Sequence, residues 1–296
     1  MSLVVPAREL AALEADVQAA LAAGDQGSLD VLGYGEVTLV LRRDTEHGSF
    51  ACKRLPVFPD GKRLDRFRSS LDTYLRLLHE RGLHVAETAM WHMTLPDGRV
   101  VAYCLQEALP SKRLCSTLLH SEGEHWADDF FSRFLDHVEQ TVTPGLGLDA
   151  QASNWIDLDG RLHYLDVTTP LLRDARGGEL LDVRLFFTSL PWLLRNPVRM
   201  AVGSSIFDKF YTLRGVVLDF LGNLIKEGLD ELIPRFVEQA NARLEAPLTA
   251  DEVAAYYRGD ARMWELIQRL RKADRFWQRR VRRRVYPFLL PPVDRR

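Results

Sequence analysis

Four short segments occur in one order within roughly the first 170 residues of this 296-residue chain. Each contains residue types that contact phosphate groups or hard cations in proteins. The segments are Gly33-Tyr34-Gly35 with Val40, then Ala51-Cys52-Lys53, then Asp149 to Asn154, then Tyr164-Leu165-Asp166. One segment alone would carry little information. Their joint order predicts a single site for a nucleoside triphosphate and its metal ion.

The first two segments are suited to phosphate binding. Gly33 and Gly35 have no Cβ, so the backbone N–H groups of a hairpin can approach phosphate oxygens closely. A hairpin with two permissive turn residues explains an isolated Gly-x-Gly equally well. Lys53 follows on the next strand between mostly apolar neighbours. A lysine in such a position either extends to solvent or has an anionic partner.

The last two segments supply oxygen ligands. Asp149 and Asn154 lie in a loop between a helix and a strand, and Asp166 lies at the far end of the hairpin that follows. Because a hairpin returns the chain to its start, Asn154 and Asp166 can share a hard cation while Asp149 faces a hydroxyl group. The alternative is that Asp149 and Asn154 form turns by bonding to their own backbone.

The element order predicts an α+β protein with a small antiparallel β N-lobe, which carries one helix, and a larger, mostly α C-lobe. An amphipathic helix over 7–23 precedes three strands, a helix over 64–79 and two further strands, and a hinge is expected near Gln106-Glu107. We divide the chain into an N-terminal cap helix (1–28), a nucleotide-binding N-lobe (29–106) and a helical C-lobe (107–296). Beyond Pro170 we expect only helices, at about 181–195, 205–227, 230–244, 250–257 and 260–285.

The pattern resembles the protein-kinase-like superfamily, and its short helical region after Asp166 is closer to the aminoglycoside and choline phosphotransferase branch. Residues 33–40 are similar to the glycine-rich loop, with Thr38 in place of the usual third glycine. Ala51-Cys52-Lys53 resembles the strand that carries the phosphate-binding lysine. Residues 149–154 match the Asp-x-x-x-x-Asn of the catalytic loop. Asp166-Val167-Thr168 stands where the metal-binding Asp-Phe-Gly occurs.

The resemblance implies a role for each polar group. Lys53 would contact the α- and β-phosphates of ATP and pair with Asp72 on the helix over 64–79. Asn154 and Asp166 would hold Mg²⁺, and Asp149 would orient and deprotonate the acceptor hydroxyl.

The resemblance also implies an adenine pocket. Leu105, Gln106 and Glu107 would offer hinge backbone groups to the base, and Val40 and Ala51 would pack on its faces. The implied activity is transfer of the γ-phosphoryl group of ATP to a hydroxyl of a small molecule.

Three departures from the family pattern keep other functions open. Gly147 stands where a histidine is usual, no Ala-Pro-Glu segment is found, and Gln151 occupies the position of a cationic donor to the moving phosphoryl group. An amide donates a hydrogen bond but no charge. The alternatives are a pseudokinase that acts as a nucleotide-binding or interaction module, a protein kinase, or an AMP transferase.

The C-terminal end is strongly basic. Residues 271–284 carry eight basic and one acidic side chain, against a net charge of −2 for the chain. A solvated face paired with the acidic remainder explains the run as well as any functional interpretation does. The functional interpretations are contact with an anionic substrate, nucleic acid or anionic lipid. We rank the anionic substrate first because no nucleic-acid-binding motif accompanies the run. The basic run lies on the helix expected over 260–285. We expect the apolar side chains of that helix to pack apart from the basic ones; they are Phe276, Trp277, Val281 and Val285.

Cysteine content and hydropathy bear on location. Three cysteines without metal-ligand spacing suit a reducing compartment. The first residues lack the features of a secretion signal, and no apolar run reaches the length of a membrane span. We therefore expect a cytoplasmic protein.

Overall fold

The computed structural model describes residues 3, 5–34, 38–182 and 205–289. The N-terminal part contains a five-stranded antiparallel sheet in the order β1-β2-β3-β5-β4. Its strands are β1 (Val31–Tyr34), β2 (Leu39–Thr45), β3 (Gly48–Arg54), β4 (Ala89–Thr94) and β5 (Val100–Glu107). The remainder of the chain is mostly helical, so the α+β class is confirmed.

One face of the sheet is covered by α1 (Ala7–Ala23). Apolar residues at spacings of three and four, among them Leu10, Leu13 and Val17, form the buried stripe of this helix. The helix ends at Gly24, whose φ of 72° is readily adopted by glycine and whose N–H donates to the Ala20 carbonyl at 2.7 Å. The predicted helix over 7–23 is therefore confirmed.

The other face packs on α2 (Gly61–Glu80) and on the helical part of the chain. The Asp60 side chain caps α2 by accepting a hydrogen bond from the Arg63 N–H at 2.9 Å. The inward face of α2 is apolar except for the fully buried Tyr74. This helix fixes the position of the sheet relative to the loops that follow.

The helical part begins with α3 (Cys115–Ser121) and α4 (Glu124–Thr141). A two-stranded hairpin of β6 (Trp155–Leu158) and β7 (Arg161–Tyr164) follows, and its turn has positive φ at Asp159 and Gly160. The later helices are α5 (Ser205–Asp208), α6 (Leu213–Lys226), α7 (Ile233–Asn241) and α8 (Ala250–Phe276). None of the helices in the described ranges is long and apolar enough to cross a bilayer.

Several expectations about the helical part need correction. The two helices expected over 250–257 and 260–285 are one continuous α8, which ends in a π-helical turn over Trp277–Val281. Gly259 is accommodated within it because an interior glycine costs only about 1 kcal/mol. The helix α3 was not expected. The helix expected over 181–195 falls outside the described residues from position 183 onward.

Candidate functional site

Lys53 lies on the face of the sheet opposite α1 and points toward the segment after β7. Its cross-strand neighbours are Val40 on β2 and Cys104 on β5. The Lys53 Nζ atom donates a hydrogen bond to Asp166 Oδ1 at 2.8 Å, although the two residues are 113 positions apart. The side chains are 17% and 24% exposed, so the pair remains in contact with solvent. The contact brings together the second and fourth sequence segments.

Thr168 fixes the orientation of the Asp166 carboxylate. The Thr168 hydroxyl donates to Asp166 Oδ1 at 2.8 Å and its backbone N–H donates to the same atom at 3.2 Å. Burial raises the pKa of Asp166, but the charge and hydrogen bond of Lys53, together with the Thr168 contacts, outweigh it and hold that pKa below its ordinary value. Asp166 is therefore an anion at neutral pH.

The loop that contains Asp149 and Asn154 is held at both ends. Asn154 Nδ2 donates to the Asp149 carbonyl at 2.9 Å, and the hydroxyl of the buried Tyr164 donates to the same carbonyl at 3.0 Å. Gln151 immediately precedes the short 3₁₀ turn Ala152–Asn154. Its backbone carbonyl accepts a hydrogen bond from the Asn154 N–H at 2.8 Å. The contact between Asn154 and Asp149 matches part of the alternative in which these residues shape a turn.

The hairpin brings this loop next to Asp166. The Leu165 N–H donates to the Asn154 carbonyl at 2.9 Å, and Trp155 pairs with Tyr164 across the strands. Asn154 is therefore bonded to the residue that immediately precedes Asp166. The third and fourth sequence segments come together as expected.

Gly147 has a packing reason to lack a side chain. A Cβ built on this residue would lie 3.0 Å from Leu171 Cβ, 3.1 Å from the Phe210 carbonyl oxygen and 3.1 Å from Tyr211 Cε1. Its carbonyl accepts a hydrogen bond from the Tyr74 hydroxyl at 3.0 Å. A side chain at this position would require its neighbours to move, and Tyr74 from α2 holds the loop by its hydrogen bond.

The three residues expected to form the hinge belong to β5. Leu105 and Glu107 pair with Cys52 and Phe50 of β3, so the strand continues two residues past its last pair with β4. The Gln106 side chain donates to Thr88 Oγ1 at 3.0 Å and to the Leu165 carbonyl at 2.9 Å. Gln106 therefore joins the sheet to the segment that carries Asp166.

The residues expected around the nucleotide base line the same side of the sheet. Val40 pairs with Lys53 and Ala51 pairs with Gln106, and both are half-buried. Gly33 pairs with Val40, and no heavy atom lies within 4 Å of the position that its Cβ would take. Gly35 lies outside the described residues.

Asp72 does not take the role expected of it. It is exposed on α2, one position beyond the buried Leu71. The carboxylate that contacts Lys53 is Asp166. A residue adjacent to the core stripe of a helix is rotated about 100° away from it, which explains why Asp72 faces solvent.

The donor atoms present suit a hard cation bound together with phosphate. No group of three or more His, Cys, Asp or Glu side chains capable of holding a metal occurs in the part of the chain that the structure describes. The contacts of Asp166 involve Oδ1, which leaves Oδ2 for a ligand, and Asn154 uses its Nδ2, which leaves its amide oxygen. Mg²⁺ commonly takes one or two protein oxygens and completes its shell with water and phosphate oxygens.

Sequence reasoning missed the supporting contacts of Thr168, Tyr74 and Tyr164. The Asp-x-Thr spacing of Asp166 and Thr168 was a usable signal, because short polar side chains often bond across two residues. Tyr74 sits at a core position of α2. A buried tyrosine there indicates a hydrogen-bond acceptor nearby.

Comparison with known sequences identifies a family whose function is unknown. Residues 12–275 match DUF6206, described as a family of unknown function. No curated protein matches the sequence.

Proposed function

The chain belongs to DUF6206, whose function is unknown, and from the geometry of the site we propose that it is an ATP- and Mg²⁺-dependent phosphotransferase of the protein-kinase-like type. The acceptor is a hydroxyl group of a small molecule. The proposal extends to the two-lobed kinase-like arrangement, with ATP between the sheet and the helical part.

The observation that carries the proposal is the 2.8 Å contact between Lys53 and Asp166. A cation from the sheet and an anion from the helical part meet while both retain solvent contact. Complete burial of such a pair would carry a desolvation cost and would use up its hydrogen-bond donors and acceptors. An open pair instead leaves donor and acceptor capacity for a phosphate group and its metal ion.

Each neighbouring group has a defined part in the reaction. Lys53 would bind phosphate oxygens, and Asn154 and Asp166 would hold Mg²⁺, which would neutralise phosphate charge. Asp149 accepts the proton of the acceptor hydroxyl while the oxygen of that hydroxyl bonds to the γ-phosphorus. The bond between the γ-phosphorus and the oxygen of the leaving ADP breaks in the same step. Val40 and Ala51 contact the base, and Gln151 donates a hydrogen bond to the moving phosphoryl group.

A second candidate is a pseudokinase that binds nucleotide without transferring phosphate. Gln151 favours it, because an amide cannot offset the charge that develops on the transferred group. This candidate keeps the roles of Lys53 and Asp166 and removes that of Asp149. The two candidates therefore differ at one residue that can be tested.

Asp149→Asn separates the candidates. We expect loss of γ-phosphate transfer by about 10²–10⁴-fold, the usual contribution of a general base, while the rise in melting temperature with ATP and Mg²⁺ is retained. Transfer is measured with γ-labelled ATP and a pool of hydroxyl metabolites. Parallel reactions with α-labelled ATP detect AMP transfer.

Asp159→Asn is the matched control, because Asp159 is exposed in the turn between β6 and β7. It should retain full activity. Nucleotide binding without any transfer by the wild type would support the pseudokinase. The absence of a thermal shift at millimolar ATP would reject both candidates.

A further inference from the structure

Exposed apolar side chains are concentrated at the C-terminal end of the described chain. Six large ones lie between residues 263 and 285, with exposed fractions between 45% and 62%. They are Met263, Leu266, Phe276, Trp277, Val281 and Val285. Elsewhere in the described ranges only Leu32 and Leu180 are comparably exposed. Phe276, Trp277, Val281 and Val285 therefore do not pack against the protein as the sequence suggested.

The exposed residues of α8 form a stripe. Met263, Leu266, Leu270 and Trp277 follow one another at spacings of three, four and seven, which places them on one side of the helix. Leu270 is half-buried and the others are exposed. Single exposed apolar residues are ordinary on protein surfaces, whereas several grouped on one segment indicate an interaction site.

Exposed cations occur along the same segment of the chain. Eight exposed basic residues lie between residues 262 and 284, namely Arg262, Arg269, Lys272, Arg275, Arg280, Arg282, Arg283 and Arg284. Arg269 pairs with Glu265 at 2.7 Å, and no other of the eight forms an ion pair with a carboxylate in the described ranges. The basic charge of this region is therefore largely unneutralised.

Several contacts hold the region to the protein. Arg271 and Asp274 are buried, as is Tyr286 in the segment after the π-helical turn. Arg279 donates to the Ala22 carbonyl at the end of α1 at 2.9 Å, and Leu289 packs against the core between α1 and the sheet. These contacts hold the helix against the protein and leave Met263, Leu266 and Trp277 exposed.

We propose that the basic apolar surface, defined as the exposed residues of 262–285, binds the anionic lipid surface of a membrane. Helices that lie in a lipid interface combine aliphatic and aromatic side chains with flanking Arg and Lys, and their affinity sums apolar burial and attraction to anionic headgroups. This surface has both components. The inference is independent of the proposed phosphotransferase activity.

Two other occupants fit the surface less well. Single-stranded nucleic acid uses cations and aromatic stacking faces, but four of the six exposed apolar residues are aliphatic. A second copy of this chain would place two strongly basic regions against each other, and juxtaposed like charges are unfavourable. Anionic lipid satisfies the apolar and the basic parts together.

Co-sedimentation of the full chain with vesicles tests the proposal. We expect binding to vesicles of phosphatidylcholine and phosphatidylserine, weaker binding at high salt, and little binding to phosphatidylcholine alone. The double variant Leu266→Ser/Trp277→Ser should weaken binding roughly tenfold or more, because it removes two of the largest exposed apolar groups. Arg275→Gln and Arg280→Gln should each weaken it about fivefold.

Leu180→Ser is the matched control, because Leu180 is exposed to a similar degree outside this surface. It should bind vesicles like the wild type. Circular dichroism and melting temperature of each variant confirm that the fold is intact.

Three results would overturn the proposal. The first is equal binding to both kinds of vesicle, or an equal loss in Leu180→Ser. The second is tighter binding to a single-stranded oligonucleotide than to anionic vesicles. The third is a concentration-dependent dimer that Trp277→Ser abolishes.

Discussion

Lys53 and Arg54 are neighbours on β3, yet their side chains enter opposite sides of the sheet and very different surroundings. Arg54 donates two hydrogen bonds of 2.8 Å to Glu14 of α1, and these side chains are 8% and 3% exposed. Lys53 donates one hydrogen bond to Asp166 in the described part of the chain, and that pair remains partly open to solvent.

The carboxylates of the two pairs, Glu14 and Asp166, differ in how completely they are hydrogen-bonded. Glu14 also accepts from the Tyr103 hydroxyl and from Gln18 Nε2, each at 2.6 Å, so its carboxylate is fully bonded within the protein. Asp166 has one oxygen free of the Lys53 and Thr168 contacts. The comparison teaches that a saturated ion pair serves the fold, whereas an unsaturated one in a cleft is a candidate for function.

Glu14→Ala should produce the largest loss of stability in this comparison. It leaves the Arg54 charge buried without a partner, and we expect the free energy of unfolding to fall by about 3–5 kcal/mol. Urea unfolding measures the loss. Glu9→Ala, which removes the half-exposed partner of Arg43, should lower it by less than about 1 kcal/mol. A similar small loss for both variants would mean that the buried Arg54–Glu14 pair stabilises the fold no more than the half-exposed Arg43–Glu9 pair does.

Lys53→Ala should have a smaller effect on stability and a larger effect on binding. We expect the free energy of unfolding to fall by about 1–2 kcal/mol, because Asp166 keeps its Thr168 contacts and some solvent. The thermal shift with ATP and Mg²⁺ should disappear in this variant. An undiminished shift would mean that Lys53 is only a structural partner of Asp166.

The contribution of the Lys53–Asp166 pair should depend on pH. The pKa of Asp166 lies below its ordinary value of 3.8 in the folded protein, so the pair stabilises the fold fully above that value and loses its effect as the pH falls through the folded pKa. The difference in unfolding free energy between wild type and Lys53→Ala should therefore be present at neutral pH and shrink below about pH 4. Urea titrations at several acidic pH values test this expectation. A difference that does not change with pH would contradict it.

Asp72→Asn should have the smallest effect. Asp72 is exposed and does not contact Lys53, so stability should change by less than about 0.5 kcal/mol and the nucleotide-induced thermal shift should be unchanged. A loss of the shift in Asp72→Asn would indicate that Asp72 moves to Lys53 when nucleotide binds.

The sequence predicted those parts of the fold in which local pattern and packing agree. The apolar spacing of α1 and the glycine after it predict that helix, and the largely apolar residues around Lys53 predict β3. Local signals failed where a distant contact decided the outcome. The continuity of α8 through Gly259 was missed for a local reason instead, since a single glycine is a weak helix terminator.

The candidate site likewise has features that the local sequence predicts and features that depend on distant contacts. The residue types at Lys53, Asp149, Asn154 and Asp166 were visible in the sequence, and the hairpin explained why two of them would meet. The choice of Asp166 over Asp72 as the partner of Lys53 depends on a contact across 113 residues, which no local pattern specifies. The glycine at position 147 likewise depends on Leu171 and Phe210.

The hydrogen bond from Arg279 to the Ala22 carbonyl joins residues that are 257 positions apart. During synthesis on the ribosome, α1 and the sheet can assemble once residue 107 has emerged. The last turn of α1 receives this donor only after residue 279 has also been synthesised and has left the ribosome. Closure of this contact is therefore a late step relative to assembly of α1 on the sheet.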